Sequence, residues 1–199
     1  MIQVVKRHRW WIVIGVGLLA AAYGILSVHL YHQREQRIAQ RVTAIGGTTM
    51  FRYFGPRWIP EAIQDKLPFM NRIQYLGLRG PDAPEDLLSE VGSLRYVETL
   101  DLGGTAVTDT GLKYLSRMTS VERLAIWSSQ VTDAGLIHLK GMHLVELHAA
   151  NTQITDAGLG SLKDHSMLIY LSLTNTRTTP EGRARLRKAL PRCRILPAP

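Results

Sequence analysis

Three aspartates recur at one position of a repeating pattern. Asp109, Asp133 and Asp156 follow Thr108, Thr132 and Thr155, at spacings of 24 and 23 residues. A row of carboxylates at near-constant spacing could ligate a cation or supply catalytic acids. Other chemistry is thinly represented. The histidines (His8, His29, His32, His138, His143, His148 and His165) form no HxxxH or HxxEH pairing on a clear helix, which argues against zinc. Cys193 is the only cysteine, so a disulfide within the chain, a CxxC metal site and a redox dithiol are all excluded. Gly46-Gly47 and Gly103-Gly104 lack the wording of phosphate loops, and Ser116, Ser128 and Ser161 lack a nucleophile elbow. The expectation is therefore no enzyme, no cofactor, no metal and no small-molecule substrate.

A structural reason accounts for each aspartate. The threonine before it is a good helix N-cap, and a carboxylate in the first helical turn is favoured by the helix dipole. These short helices belong to a longer pattern. Segments starting at Ile73, Val97, Val121, Leu144, Leu168 and Arg192 are spaced by 24, 24, 23, 24 and 24 residues. The paired apolar positions are Leu76/Leu78, Leu100/Leu102, Leu124/Ile126, Leu147/Ala149 and Leu171/Leu173. A hydroxyl follows three residues later at Thr105, Ser129, Thr152 and Thr176. Val-Thr-Asp-x-Gly-Leu-x-x-Leu wording then opens at Val107 and Val131 and, with Ile for Val, at Ile154. A period of this length predicts a solenoid, in which each unit buries its apolar face against the next.

Within one unit, Val121, Leu124 and Ile126 point inward from a short strand, whereas Glu122, Arg123, Ala125 and Trp127 point outward. Ser129 and its counterparts are expected to bond backbone groups in a stacked ladder. Leu136 and Leu139 share one helical face, and Gly135 allows close packing in the turn. Outward strand positions then form columns: Tyr75, Thr99, Arg123, Glu146 and Tyr170; Gly77, Asp101, Ala125, His148 and Ser172; and Arg79, Gly103, Trp127, Ala150 and Thr174. Trp127 is a large ring in a slot that is otherwise small or polar. Aromatic residues and Arg carry much of the energy at protein interfaces. The expected partner-binding set is therefore Tyr75, Asp101, Arg123, Trp127, Glu146, His148 and Tyr170. The competing reading of Trp127 is packing over its neighbours.

Residues 10–31 contain no Asp, Glu, Lys or Arg. At ~1.5 Å per residue a helix of that length spans roughly 33 Å, matching a hydrocarbon core of about 30 Å. Trp10, Trp11 and Tyr31 stand at its ends, with Lys6, Arg7 and Arg9 before it and Arg34, Arg37 and Arg41 after it. This predicts an uncleaved single-pass anchor. The apolar run continues past Ala20-Ala21-Ala22, which disfavours a cleaved signal peptide. The expected organisation is a basic tail at 1–9, a transmembrane helix at 10–31, a juxtamembrane helix at 32–45, an N-terminal cap at 46–72 and repeats with a closing cap at 73–199. Met50, Phe51, Phe54, Trp58, Ile63 and Phe69 are the expected covering side chains of the first cap. The N-terminus is expected to be cytoplasmic, with the repeats on the other side of the membrane.

The net charge of +8 sits at the two ends. Residues 1–41 hold six Lys/Arg against Glu35, and 177–194 hold seven against Glu181. Between 73 and 176 there are seven Lys/Arg and twelve Asp/Glu. A mildly acidic repeat body argues against nucleic-acid binding.

The wording Leu-x-x-Leu-x-Leu-x-x-Thr-x-Val/Ile-Thr-Asp-Ala-Gly-Leu resembles the leucine-rich-repeat family of the ribonuclease-inhibitor-like superfamily, in its bacterial Thr-Asp-Ala-Gly-Leu form with an N-terminal membrane anchor. The resemblance covers about 73–197. Its end copies depart, with Pro81 for the hydroxyl and Pro84-Glu85-Asp86 for Thr-Asp-Ala at one end, and Arg183 for leucine at the other. It implies an α/β fold: a right-handed solenoid with short parallel strands on a concave face, helices on a convex one and a closing strand that puts Ile195 in the slot of Leu171. It also implies protein binding and transfers no catalytic residue. The leading expectation is a membrane-anchored interaction module that binds a peptide or small domain on its concave face. One alternative is an inhibitor or regulatory subunit of a single enzyme. Another is a lipid- or polyanion-associated protein that uses its basic ends.

Overall fold

A computed structural model of the chain describes residues 2–64, 66–78, 80 and 84–197, with side chains from Val16 onward. Arg79 and Pro81 therefore lie outside the described residues, as do the side chains of Lys6, Arg7, Arg9, Trp10 and Trp11.

The first element is one uninterrupted helix, α1 (Ile2–Ala44), which joins the expected transmembrane and juxtamembrane segments. Its two halves have different environments. From residue 16 to residue 30 its large apolar side chains are exposed, including Leu19, Tyr23 and Ile25. From Glu35 onward one face is buried through Ile38, Ala39 and Val42, and Ile45 packs against the same core. Those positions follow the 3-and-4 spacing of a helix stripe. The expected span at 10–31 begins in residues whose side chains lie outside the described set. Among the described residues no helix is long and apolar enough to cross a membrane.

Gly46, at φ +78°, ends α1, and the chain reverses into β1 (Thr48–Tyr53). A short helix α2 (Glu61–Gln64) and a 3-10 turn at Pro68–Met70 lead to β2 (Asn71–Gly77). The repeats then alternate helix and strand: α3 (Glu85–Val91), β3 (Thr99–Asp101), α4 (Asp109–Leu115), β4 (Arg123–Ala125), α5 (Asp133–Leu136), β5 (Glu146–His148), α6 (Asp156–Leu159), β6 (Tyr170–Ser172), α7 (Pro180–Ala189) and β7 (Arg194–Leu196). The sheet runs β1 to β7 in chain order. From β2 to β7 every pair is parallel, and β1 pairs antiparallel with β2. Seven strands at ~4.8 Å spacing make a face about 29 Å across. One apolar column, Leu76, Leu100, Leu124, Leu147, Leu171 and Ile195, runs in register through the parallel strands and is buried throughout. The closing strand thus places Ile195 beside Leu171, as the resemblance implies.

The first cap differs from expectation. Met50, Phe51, Phe54, Trp58 and Ile63 are all exposed, so they do not cover the end of the core. Ile38, Ala39 and Val42 of α1 are buried there instead, and Arg41 ties the helix to α3 through Asp86 and Glu90, each at 2.6 Å. A helix with a full apolar stripe buries more of the first repeat than a short loop can. Thr48–Tyr53, read as part of a cap, also continues the sheet.

Candidate functional site

The aspartate column is a clamp between repeats. Asp109 Oδ1 accepts the Thr132 backbone N–H at 2.8 Å, and its Oδ2 accepts the Thr132 hydroxyl at 2.6 Å. Asp133 holds Thr155 in the same way at 2.7 and 2.6 Å, and Asp156 holds Thr179 at 2.7 and 2.6 Å. Each threonine hydroxyl then caps its own helix, accepting from Ala134, Ala157 or Gly182. Both oxygens of each carboxylate accept a hydrogen bond from the next repeat, so the column has a structural role in joining repeats. Hydrogen bonds from Thr179 hold the Asp156 carboxyl below the usual carboxylate range, with Arg185 at 3.3 Å adding to the effect. The glycine of each motif makes room for the clamp, since a methyl group at Gly135, Gly158 or Gly182 would overlap Asp109, Asp133 or Asp156. Thr108 is the exception. Glu85 occupies the clamp position one repeat earlier, and Thr108 makes no side-chain cap bond. Among the described residues no cluster of three or more His, Cys, Asp or Glu could hold a metal.

The hydroxyls expected to form a ladder act within their own repeats. Thr105, Ser129, Thr152 and Thr176 each donate to the carbonyl three residues back, Leu102, Ile126, Ala149 and Leu173, at 2.6–2.8 Å. The residue before each hydroxyl has positive φ: Gly104 (70°), Ser128 (53°), Asn151 (56°) and Asn175 (55°). Cys193 is buried, and burial pushes its thiol up to about 11, so it is a packing residue and a poor nucleophile at neutral pH.

The strand side carries the columns expected from the sequence. One register line runs Tyr75, Thr99, Arg123, Glu146, Tyr170 and Arg194, and the next runs Gly77, Asp101, Ala125, His148, Ser172 and Leu196. Of the anticipated residues, Glu146, His148 and Tyr170 meet in one group, and the others make contacts outside the anticipated set. His148 stacks beside Tyr170 with ring centroids 5.0 Å apart, and its Nε2 lies 3.5 Å from Glu146 Oε2. Arg123 Nε donates to Thr99 Oγ1 at 3.0 Å, which holds an exposed guanidinium over β3 and β4. Asp101 accepts the Gly103 N–H at 3.0 Å, so one of its oxygens serves its own turn. Tyr75 lies over Gly77, where a methyl group would meet its hydroxyl at 2.7 Å.

Trp127 answers to both readings offered for it. A methyl group at Gly103 would overlap its indole, and one at Gly104 would lie 3.5 Å from it, so the ring packs over the neighbouring repeat. It nevertheless keeps 41% of its surface exposed. The glycine pair before Thr105 thus seats a ring from the next repeat. Spacing alone did not show this, although two adjacent glycines one period before a lone Trp were a usable signal.

A leucine-rich-repeat family model matches residues 93–116, one repeat spanning β3 and α4. No curated protein matches the chain significantly. Among solved structures, a leucine-rich-repeat protein of Leptospira interrogans is 23% identical, with a TM-score of 0.46, over 61% of this chain and 30% of that one. An internalin of Listeria monocytogenes is 16% identical, with a TM-score of 0.40, over 59% of this chain and 38% of that one. An internalin C2 of the same organism is 20% identical, with a TM-score of 0.37, over 54% and 55%. The chain therefore spans less than two thirds of the length of each.

Proposed function

We propose that this leucine-rich-repeat chain is a membrane-anchored protein-binding module, with its partner seated on the strand face around Arg123, Trp127, Glu146, His148 and Tyr170. Tyr75 and Asp101 sit toward the β2 and β3 edge of the same surface. The observation that carries the reading is that Trp127 and Arg123, on the outward side of one repeat, are both exposed. Both are held in place by the fold, Trp127 on the backbone of Gly103 and Arg123 on Thr99. Side chains ordered before binding lose less rotamer entropy when a partner covers them. A face about 29 Å across suits a peptide or a small domain.

The anchor is the N-terminal part of α1. Its support is the run of exposed apolar side chains over residues 16–30, together with a stretch at 10–31 free of formal charge. Three Lys/Arg flank that stretch on each side, and Glu35 on the repeat side tips the balance toward a cytoplasmic N-terminus with the repeats on the opposite side.

The test is crosslinking and pull-down of the full chain from solubilised membranes. Arg123→Ala/His148→Ala is compared with a helix-side pair, Thr110→Ala/Lys163→Ala. Loss of one stoichiometric partner from the strand-face pair alone supports the assignment. Unchanged partners from the strand-face pair exclude it. A partner that proves to be a single enzyme, inhibited on binding, would favour a regulatory subunit over an assembly module.

A further inference from the structure

Three side chains of the segment between β1 and β2 are strongly exposed: Phe54 (44%), Trp58 (81%) and Ile63 (46%). They are free of core duty because α1 covers the end of the repeats. Their location follows from how β1 and β2 lie along α1. Gly47 sits against Val42 and Gly77, near the end of the helix. One turn and more earlier, Glu35 faces Arg72 at 3.7 Å, and the Arg72 guanidinium lies 5.3 Å from the Tyr31 ring. Earlier still, Phe69 and Met70 line an apolar groove with Ala21, Gly24, Ile25, Val28 and His29. Moving back along β2 is thus moving back along α1. The six residues of β1 return the chain about 20 Å in that same direction. Residues 54–64 and 66–70 therefore lie beside the exposed apolar part of α1, with the Phe54 ring 5.2 Å from that of Tyr96 at the edge of the repeats and Trp58 and Ile63 beyond it.

The charge near this segment has one prevailing sign. Between residues 32 and 70 there are six Lys/Arg and three Asp/Glu, a net of 6 − 3 = +3. Arg34, Arg37, Arg57 and Lys66 are all exposed. An indole with basic neighbours at the mouth of an apolar helix fits the headgroup layer of a bilayer, where aromatic rings concentrate and anionic lipid attracts cations.

We infer that the segment between β1 and β2 is a second membrane contact, seating Trp58 and Ile63 among anionic phospholipid headgroups beside α1. The contact rests on the reading of α1 as an anchor and adds to it, because a second point of attachment fixes the orientation of the strand face relative to the bilayer. A single helix, even one joined rigidly to the repeats, leaves the domain free to rotate about the helix axis and to tilt with it.

The test uses the full chain with Cys193→Ala and one new cysteine at a time, Leu19→Cys, Trp58→Cys or Thr110→Cys, each carrying a nitroxide. All three sites are exposed, so a label disturbs no packing. The chain is reconstituted in phosphatidylcholine/phosphatidylglycerol vesicles, and collision with oxygen is compared with collision with a water-soluble nickel chelate. The expected result is an oxygen-to-nickel ratio at 58 several-fold above that at 110 and below that at 19. If 19 is in lipid while 58 matches 110, the second contact is overturned and the anchor stands. If 19 also matches 110, both fall. Spin–spin broadening at 58 with a ratio equal to that at 110 would assign the patch to a second copy of the chain and overturn the lipid contact.

Discussion

Asp133 shows how one side chain can do several jobs in a repeat protein. It opens α5, holds the next repeat through two bonds to Thr155 and fills the space left by Gly158. Hydrogen bonds to a charged acceptor contribute about 1.5–3 kcal/mol each. Asp133→Ala is therefore expected to lower the urea-unfolding free energy by about 2 kcal/mol or more. Gly158→Ala should also destabilise, because its methyl group meets the carboxylate. The double variant should cost less than the sum of the two, since removing the carboxylate opens the space the methyl needs. Strict additivity in a double-mutant cycle would show that the aspartate and glycine are not one device. The residue types of this clamp were readable from the sequence, including the capping role of Thr132. The bond from one repeat to the next was not, because spacing gives position along the chain and not distance across it.

At the scale of elements, α1 has two environments, and the boundary is marked by Glu35. This carboxyl is buried, neither oxygen has a hydrogen-bond partner of ordinary geometry, and Arg72 lies 3.7 Å away. Burial pushes its pKa up to about 7, with Arg72 and the Ile73 amide only partly opposing the rise. The folded chain thus holds this proton more tightly than the unfolded chain, whose carboxyl titrates near 4.5. The resulting stability is present below about pH 4.5 and is lost as pH rises to about 7. Glu35→Gln should flatten this part of the pH–stability profile, removing a slope worth up to about 3 kcal/mol over the interval. An unchanged profile would show that Glu35 is already ionised in the fold. The buried stripe on the same helix makes a separate prediction. Ile38→Ala is expected to cost about 2–5 kcal/mol, whereas Leu19→Ala in detergent should leave unfolding unchanged, since only Ile38 touches the core. The spacing of Ile38, Val42 and Ile45 showed that this face had to be covered. It did not show that the repeats would cover it.

For the whole molecule, the array is capped by a helix at one end and by α7 and β7 at the other. Deleting residues 2–30 should therefore leave the thermal midpoint of the repeat domain unchanged, whereas deletion through residue 45 should abolish cooperative unfolding. A domain that stays cooperative without 31–45 would show that β1 and residues 54–70 suffice as a cap. The sequence alone determined the repeat length, the inward and outward positions of each strand and the register that aligns Tyr75 with Tyr170 and Gly77 with His148. These follow from local periodicity, which every unit restates. Only the tertiary structure decided the contacts made across space: that α1 and not Phe54 or Trp58 closes the core, that β1 extends the sheet antiparallel, that Trp127 rests on Gly103 and that the aspartates join repeats. Each depends on which surfaces meet through space, and burial of the larger apolar face prevails there over any rule of spacing.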